Sequence, residues 1–148
     1  MTMNRTNKGF SLLELLIVVA IILIIATIAI PSLLRSRQAA HEAAAVSTLR
    51  TINTAEVTYL STGNGKFGAI TDLIGNQLIP SNFNPGPVSG YNFTIALNGT
   101  STDFTITATP ASTNDGRYGY YVTPDGTVRY STVTTLAPTG SAGSPVSQ

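Results

Sequence analysis

One carboxylate, Glu14, stands near the start of an otherwise apolar run from Phe10 to Ile30. A carboxylate deep in a membrane-crossing helix costs about 2.5 to 3.5 kcal/mol on insertion scales, so such a residue needs a partner and a task. Its available chemistry is to accept a cation or a proton in a dry environment. The rest of the chain offers little reactive chemistry. There is no cysteine, which excludes disulfides, thiolate metal sites, a cysteine nucleophile and a lipidated-cysteine anchor. With His41 as the single histidine and seven scattered acids, triads and ligand clusters lack their components. No enzymatic activity, metal or cofactor is expected.

The apolar run is about 21 residues long. That is enough for a helix to cross a hydrocarbon core of about 30 Å. It is too long for the apolar core of a secretory signal peptide, which spans about 7 to 15 residues and precedes its cleavage site. A plain membrane anchor explains the length and leaves Glu14 without a purpose. Ahead of the run lie nine polar residues carrying Arg5 and Lys8. Two more cations, Arg35 and Arg37, follow it, so counting positive charges on either side gives no orientation.

Lys8-Gly9-Phe10-Ser11-Leu12-Leu13-Glu14, with the apolar run behind it, resembles the leader and processing junction of type IV prepilins and pseudopilins. The resemblance implies that a prepilin peptidase cuts between Gly9 and Phe10 and methylates the new amine, so that Phe10 becomes the N-methylated first residue. Arg5 and Lys8 become the basic residues of a leader, residues 1–9. Glu14 becomes the assembly residue that pairs with the terminal amine of a neighbouring subunit. Pro31 resembles a proline found at this place in many such proteins. It removes one backbone donor and crowds the carbonyl of Thr27. It is read either as a simple kink or as a segment that loses helix when subunits pack.

Beyond Pro31, Arg35 to Leu60 contains no glycine or proline. Val46, Leu49, Ile52, Ala55 and Tyr59 recur at steps of three and four, the spacing of one helical face. Gly63-Asn64-Gly65 supplies a stop. A single helix over 10–62 is expected, its 10–30 half in the membrane and the remainder amphipathic, about 80 Å in all. His41 and Glu42 are read as polar surface residues on this helix. Arg35 and Arg37 are placed to meet lipid headgroups or acidic side chains of neighbours.

A Gly-, Asn- and Pro-rich connection over 63–88 holds one short helical turn near Ala69–Ile74. Four strands follow within 89–132. Tyr91–Leu97 and Phe104–Ala108 alternate about the turn signal Asn98-Gly99, and Tyr118–Val122 and Val128–Tyr130 pair around Pro124-Asp125-Gly126. Asp115-Gly116 and Asp125-Gly126 read as turns rather than a calcium loop. Residues 133–148, uncharged and rich in Thr, Ser, Pro, Gly and Ala, read as a flexible exposed tail. The expected fold class is α+β: a pilin-like long N-terminal helix, first transmembrane and then amphipathic, packed on a small antiparallel sheet.

Charged residues are only 10% of the chain and the formal net charge is +1. Without Arg5 and Lys8, six basic residues face seven acidic ones. A near-neutral chain without a basic stripe has no electrostatic footprint for generic nucleic-acid binding, and no specific nucleic-acid partner is expected. The resemblance implies a subunit of a type IV pilus serving adhesion or motility. Its implied partners are other pilin subunits, the prepilin peptidase and methyltransferase, an inner-membrane assembly platform, and the lipid bilayer before assembly. The pseudopilin of a type II secretion system is the neighbouring alternative, against which stands the absence of that family's Asp-Pro-Trp-Gly stretch. The absence of a cysteine pair separates the chain from familiar pilins that close their C-terminal loop with one. A membrane-anchored periplasmic domain is the alternative from another class.

Overall fold

The structure is a computed structural model and describes residues 9–83, 86–131 and 143–146. Arg5, Lys8 and the rest of the leader lie outside the described residues, as does most of the expected tail. The elements are α1 (Leu12–Thr62), α2 (Ile70–Gly75), a single 3-10 turn (Ser81–Phe83), and five strands. The strands are β1 (Tyr91–Leu97), β2 (Phe104–Pro110), β3 (Gly119–Val122), β4 (Arg129–Ser131) and β5 (Ser144–Pro145). Two compact units divide the chain between Arg35 and Ser36, with α1 contributing to both.

The first unit is the apolar half of α1. Its Leu, Ile and Val side chains are exposed along its length, from Leu12 at 80% to Leu34 at 38%. An apolar helix this exposed among the described residues needs an external apolar phase, lipid or other helices. It is long and apolar enough to cross a membrane. Thr27 donates its hydroxyl to the carbonyls of Leu23 and Ile24, at 2.9 and 2.8 Å. Helix is retained through Pro31.

In the second unit, the C-terminal half of α1 buries Gln38, Glu42, Ala45, Leu49, Ile52, Ala55 and Glu56. Steps of mostly four and three keep these side chains on one stripe. Leu49 and Ile52 are fully buried with Phe104, Ile106, Tyr120 and Val122 of the sheet. Burying each is worth about 1.5 to 3 kcal/mol. Val46, expected in that core, is only partly covered, and Ala45 takes its place.

Termination follows the expected Gly63-Asn64-Gly65. Asn64 (φ 55°) and Gly65 (φ 75°) take the left-handed conformation, and Gly65 N–H donates to the Leu60 carbonyl at 3.1 Å. Gly63 serves differently: a Cβ there would lie 2.7 Å from the Tyr59 ring.

The sheet is antiparallel in the order β1-β2-β3-β4-β5. Four strands coincide with the expected ones, and Ser144–Pro145 adds a fifth inside the stretch read as a tail. Leu97 pairs with Phe104, so the Asn98-Gly99 signal opens a six-residue loop. Asn98 organises it by accepting the Thr102 and Asp103 N–H groups at 2.8 and 3.2 Å.

Candidate functional site: the processing junction and the polar clasp

The junction begins at Gly9, which is exposed, with nothing within 4 Å of the place a Cβ would occupy. Its φ is not positive either, so the fold itself places no demand for glycine at this position. Phe10 beside it is 75% exposed. A residue type that the fold does not require, next to an accessible bond, points to a requirement imposed from outside the chain.

Glu14 lies three residues after Ser11 and accepts the Ser11 backbone N–H on Oε2 at 3.0 Å. Ser11 in turn offers its carbonyl to the Leu15 N–H at 3.2 Å. The arrangement is half of a capping box, in which a glutamate at the third helical position satisfies a donor at the helix start. Its carboxylate also meets the positive end of the helix dipole. Oε1 has no partner among the described residues. A second donor or cation can therefore be accepted without breaking the cap.

Within the second unit a group of polar side chains joins α1 to the β2–β3 loop. Glu42, expected at the surface, is 7% exposed. Its Oε1 accepts Arg117 N–H at 2.8 Å and Nε–H at 3.1 Å, while Oε2 accepts Nη2–H at 2.9 Å. This bidentate grip suits the planar guanidinium. It also raises the Arg117 pKa further, through the hydrogen bond to Glu42 and its charge. Gln38 donates to the Thr113 carbonyl at 3.0 Å.

His41 was read as a second surface residue and is half-buried. Its Nδ1 lies 3.2 Å from the Asp115 carbonyl and 3.4 Å from the Asp115 carboxylate. Arg37 reaches that carboxylate at 3.7 Å. Gly90 (φ 78°) is needed here, because a Cβ would stand 2.5 Å from His41 Nδ1. Beneath the loop, the fully buried Tyr91 donates its hydroxyl to the Tyr118 carbonyl at 2.9 Å. Burial pushes the pKa of that phenol upward, as it does for Tyr120.

Lower on the same stripe, Glu56 is fully buried and accepts the Gly68 N–H at 3.0 Å, with its other oxygen unpartnered. Burial raises its pKa, opposed by that hydrogen bond and assisted by the negative Asp72. Sequence reasoning missed Arg117, Gln38 and Glu56. The available signal was the stripe itself, since positions 38, 42, 45, 49, 52 and 56 continue one helical face through polar residues.

Set beside known proteins, residues 4–30 match the model of the prokaryotic N-terminal methylation motif. That match spans the junction, Glu14 and the whole apolar run to Ile30. The match supports a likeness to the type IV pilins and pseudopilins at the N-terminal segment. The type IV major pilin protein PilA of Myxococcus xanthus (strain DK1622) is 41% identical over 58 residues. The aligned stretch is 39% of this chain and 26% of the PilA chain, so the chain spans about a quarter of that relative's length. No solved structure matches the chain. The apolar helix and the methylation motif together fit anchoring in the bacterial inner membrane before assembly.

Proposed function

We propose that the chain is a structural prepilin of a type IV pilus. It is cleaved between Gly9 and Phe10, N-methylated on Phe10, held in the inner membrane by Phe10 to Ile30, and drawn into a helical extracellular polymer. The observation that carries this reading is a glycine the fold does not need, at an exposed junction, followed by an apolar helix whose large side chains are exposed among the described residues. Its partners are the prepilin peptidase and methyltransferase, an inner-membrane assembly platform, and further pilin subunits. Adhesion or motility is the surface role.

Cleavage leaves the apolar run attached and creates an amine four residues before Glu14. In the polymer, that amine from one subunit meets the free oxygen of Glu14 in another. An ion pair offsets the cost of placing either charge alone in a dry core. Pro31 withholds a donor from the Thr27 carbonyl and sets a weak point at which α1 can lose helix as subunits pack. The pseudopilin reading would confine the same processed subunit to a short periplasmic assembly.

The test is Glu14→Ala in the full chain. Membrane insertion is expected to persist while sheared filaments are lost. Filaments of normal yield and length from that variant would refute the role of Glu14.

A further inference from the structure

β5 is the least secured strand of the sheet. It is two residues long and pairs with β4 only at Arg129↔Pro145 and Tyr130↔Ser144. One further bond, Val146 N–H to the Val128 carbonyl at 2.9 Å, extends the ladder. Ser144 and Pro145 are exposed, and only Val146 reaches the core cluster. Val146 also lines a groove of about 410 Å³ with Ala39, Ala43, Val46, Arg50 and Tyr120. Without β5, β4 presents an unpaired edge, which sheet proteins cover or blunt.

We infer that β5 is an exchangeable strand that pairs, in the polymer, with β4 of a neighbouring copy. The contact is the same whether the two strands belong to one chain or two, so exchange sacrifices no hydrogen bond and no apolar contact. Twelve residues, 132–143, connect β4 to β5. A chain of that length spans at most about 40 to 43 Å, enough to leave one small domain for the next. In an isolated subunit only its own β4 is available. In the polymer the strand passes to the β4 edge of the next copy, and head-to-tail exchange from copy to copy leaves no β4 edge open between them. The partner is thus a second copy of this chain, and its docking surface is the β4 edge together with the Val146 groove. Heads would then be linked along the filament without any disulfide, in a chain that has no cysteine.

The inference rests on the polymer reading, and the absence of cysteine makes it directly testable. Arg129 and Pro145 face each other across β4 and β5. Full-length Arg129→Cys and Pro145→Cys chains are co-expressed, filaments are sheared off and counted, and the material is treated with diamide. Exchange predicts a disulfide-joined pair at twice the subunit mass with one chain of each kind, at least tenfold above either variant alone. The double variant Arg129→Cys/Pro145→Cys should form ladders in filaments and closed monomers in dilute detergent. Filaments present, with closed monomers only from the double variant and no mixed pair, would overturn exchange and leave the polymer reading standing. No disulfide of either kind would remove the β4–β5 pairing and the proposal with it. No filaments from parental chains would refute the polymer reading itself.

Discussion

Glu42 and Arg117, 75 residues apart in sequence, should form the principal polar tie between α1 and the sheet. Glu42→Ala removes the acceptor of three donors. The released guanidinium, with its side chain 50% exposed, can turn to water at little cost. The Arg117 backbone N–H cannot, and a stranded backbone donor costs about 1 to 3 kcal/mol. Loss of the charge pair adds less than the about 3 to 5 kcal/mol of a fully buried bridge, because water already screens one partner.

The expected destabilisation is therefore about 2 kcal/mol, equivalent to roughly 8 to 12 °C in melting temperature for a unit of this size. Glu42→Gln keeps an acceptor for the backbone donor and should cost about half as much. All six tyrosines, from Tyr59 to Tyr130, lie in the second unit and there is no tryptophan. Near-ultraviolet circular dichroism of the full chain in detergent therefore reports on this unit during a thermal or urea titration. A Glu42→Ala change below about 0.5 kcal/mol, or equal losses from Ala and Gln, would refute the reasoning.

Glu56 has a raised pKa in the fold, for which burial is the largest cause. The folded state therefore holds its proton longer than the unfolded chain, whose value is near 4.5. That contribution is complete below about pH 4.5 and is lost as pH rises through the folded value. Glu56→Gln should gain stability relative to the parent between pH 4 and pH 8, measured by urea unfolding at both, and a constant difference would contradict it. Gly116→Ala should cost about 1 to 3 kcal/mol, since a Cβ would stand 2.0 Å from the Tyr91 hydroxyl oxygen and that ring is fully buried. An unchanged melting temperature would show that Tyr91 moves aside freely.

The motif matched at residues 4–30 was legible because its pattern is linear: a basic stretch, a glycine, an aromatic and a glutamate at set spacing. Leu49, Ile52, Ala55 and Tyr59 were legible because apolar periodicity is a local signal. Glu42 and His41 were misjudged as surface residues for the same reason. Their burial depends on Arg117 and Asp115, more than 70 residues away, and no local pattern encodes a tertiary partner. β5 was missed because Ser144 and Pro145 have neither alternation nor length, and only the open edge of β4 makes them a strand. The Asn98-Gly99 signal correctly marked a turn between β1 and β2 and understated the loop, which Asn98 holds through its side chain.

The central claim is that Phe10 becomes the first residue of an exported polymer. Mass spectrometry of the N-terminal peptide from sheared surface material, compared with the membrane fraction, tests it most directly. The account predicts a peptide beginning at N-methylated Phe10 in the sheared filaments. An intact Met1 leader in cells with an active prepilin peptidase would contradict it, and the methylated peptide confined to membranes would replace the extracellular pilus with a periplasmic assembly.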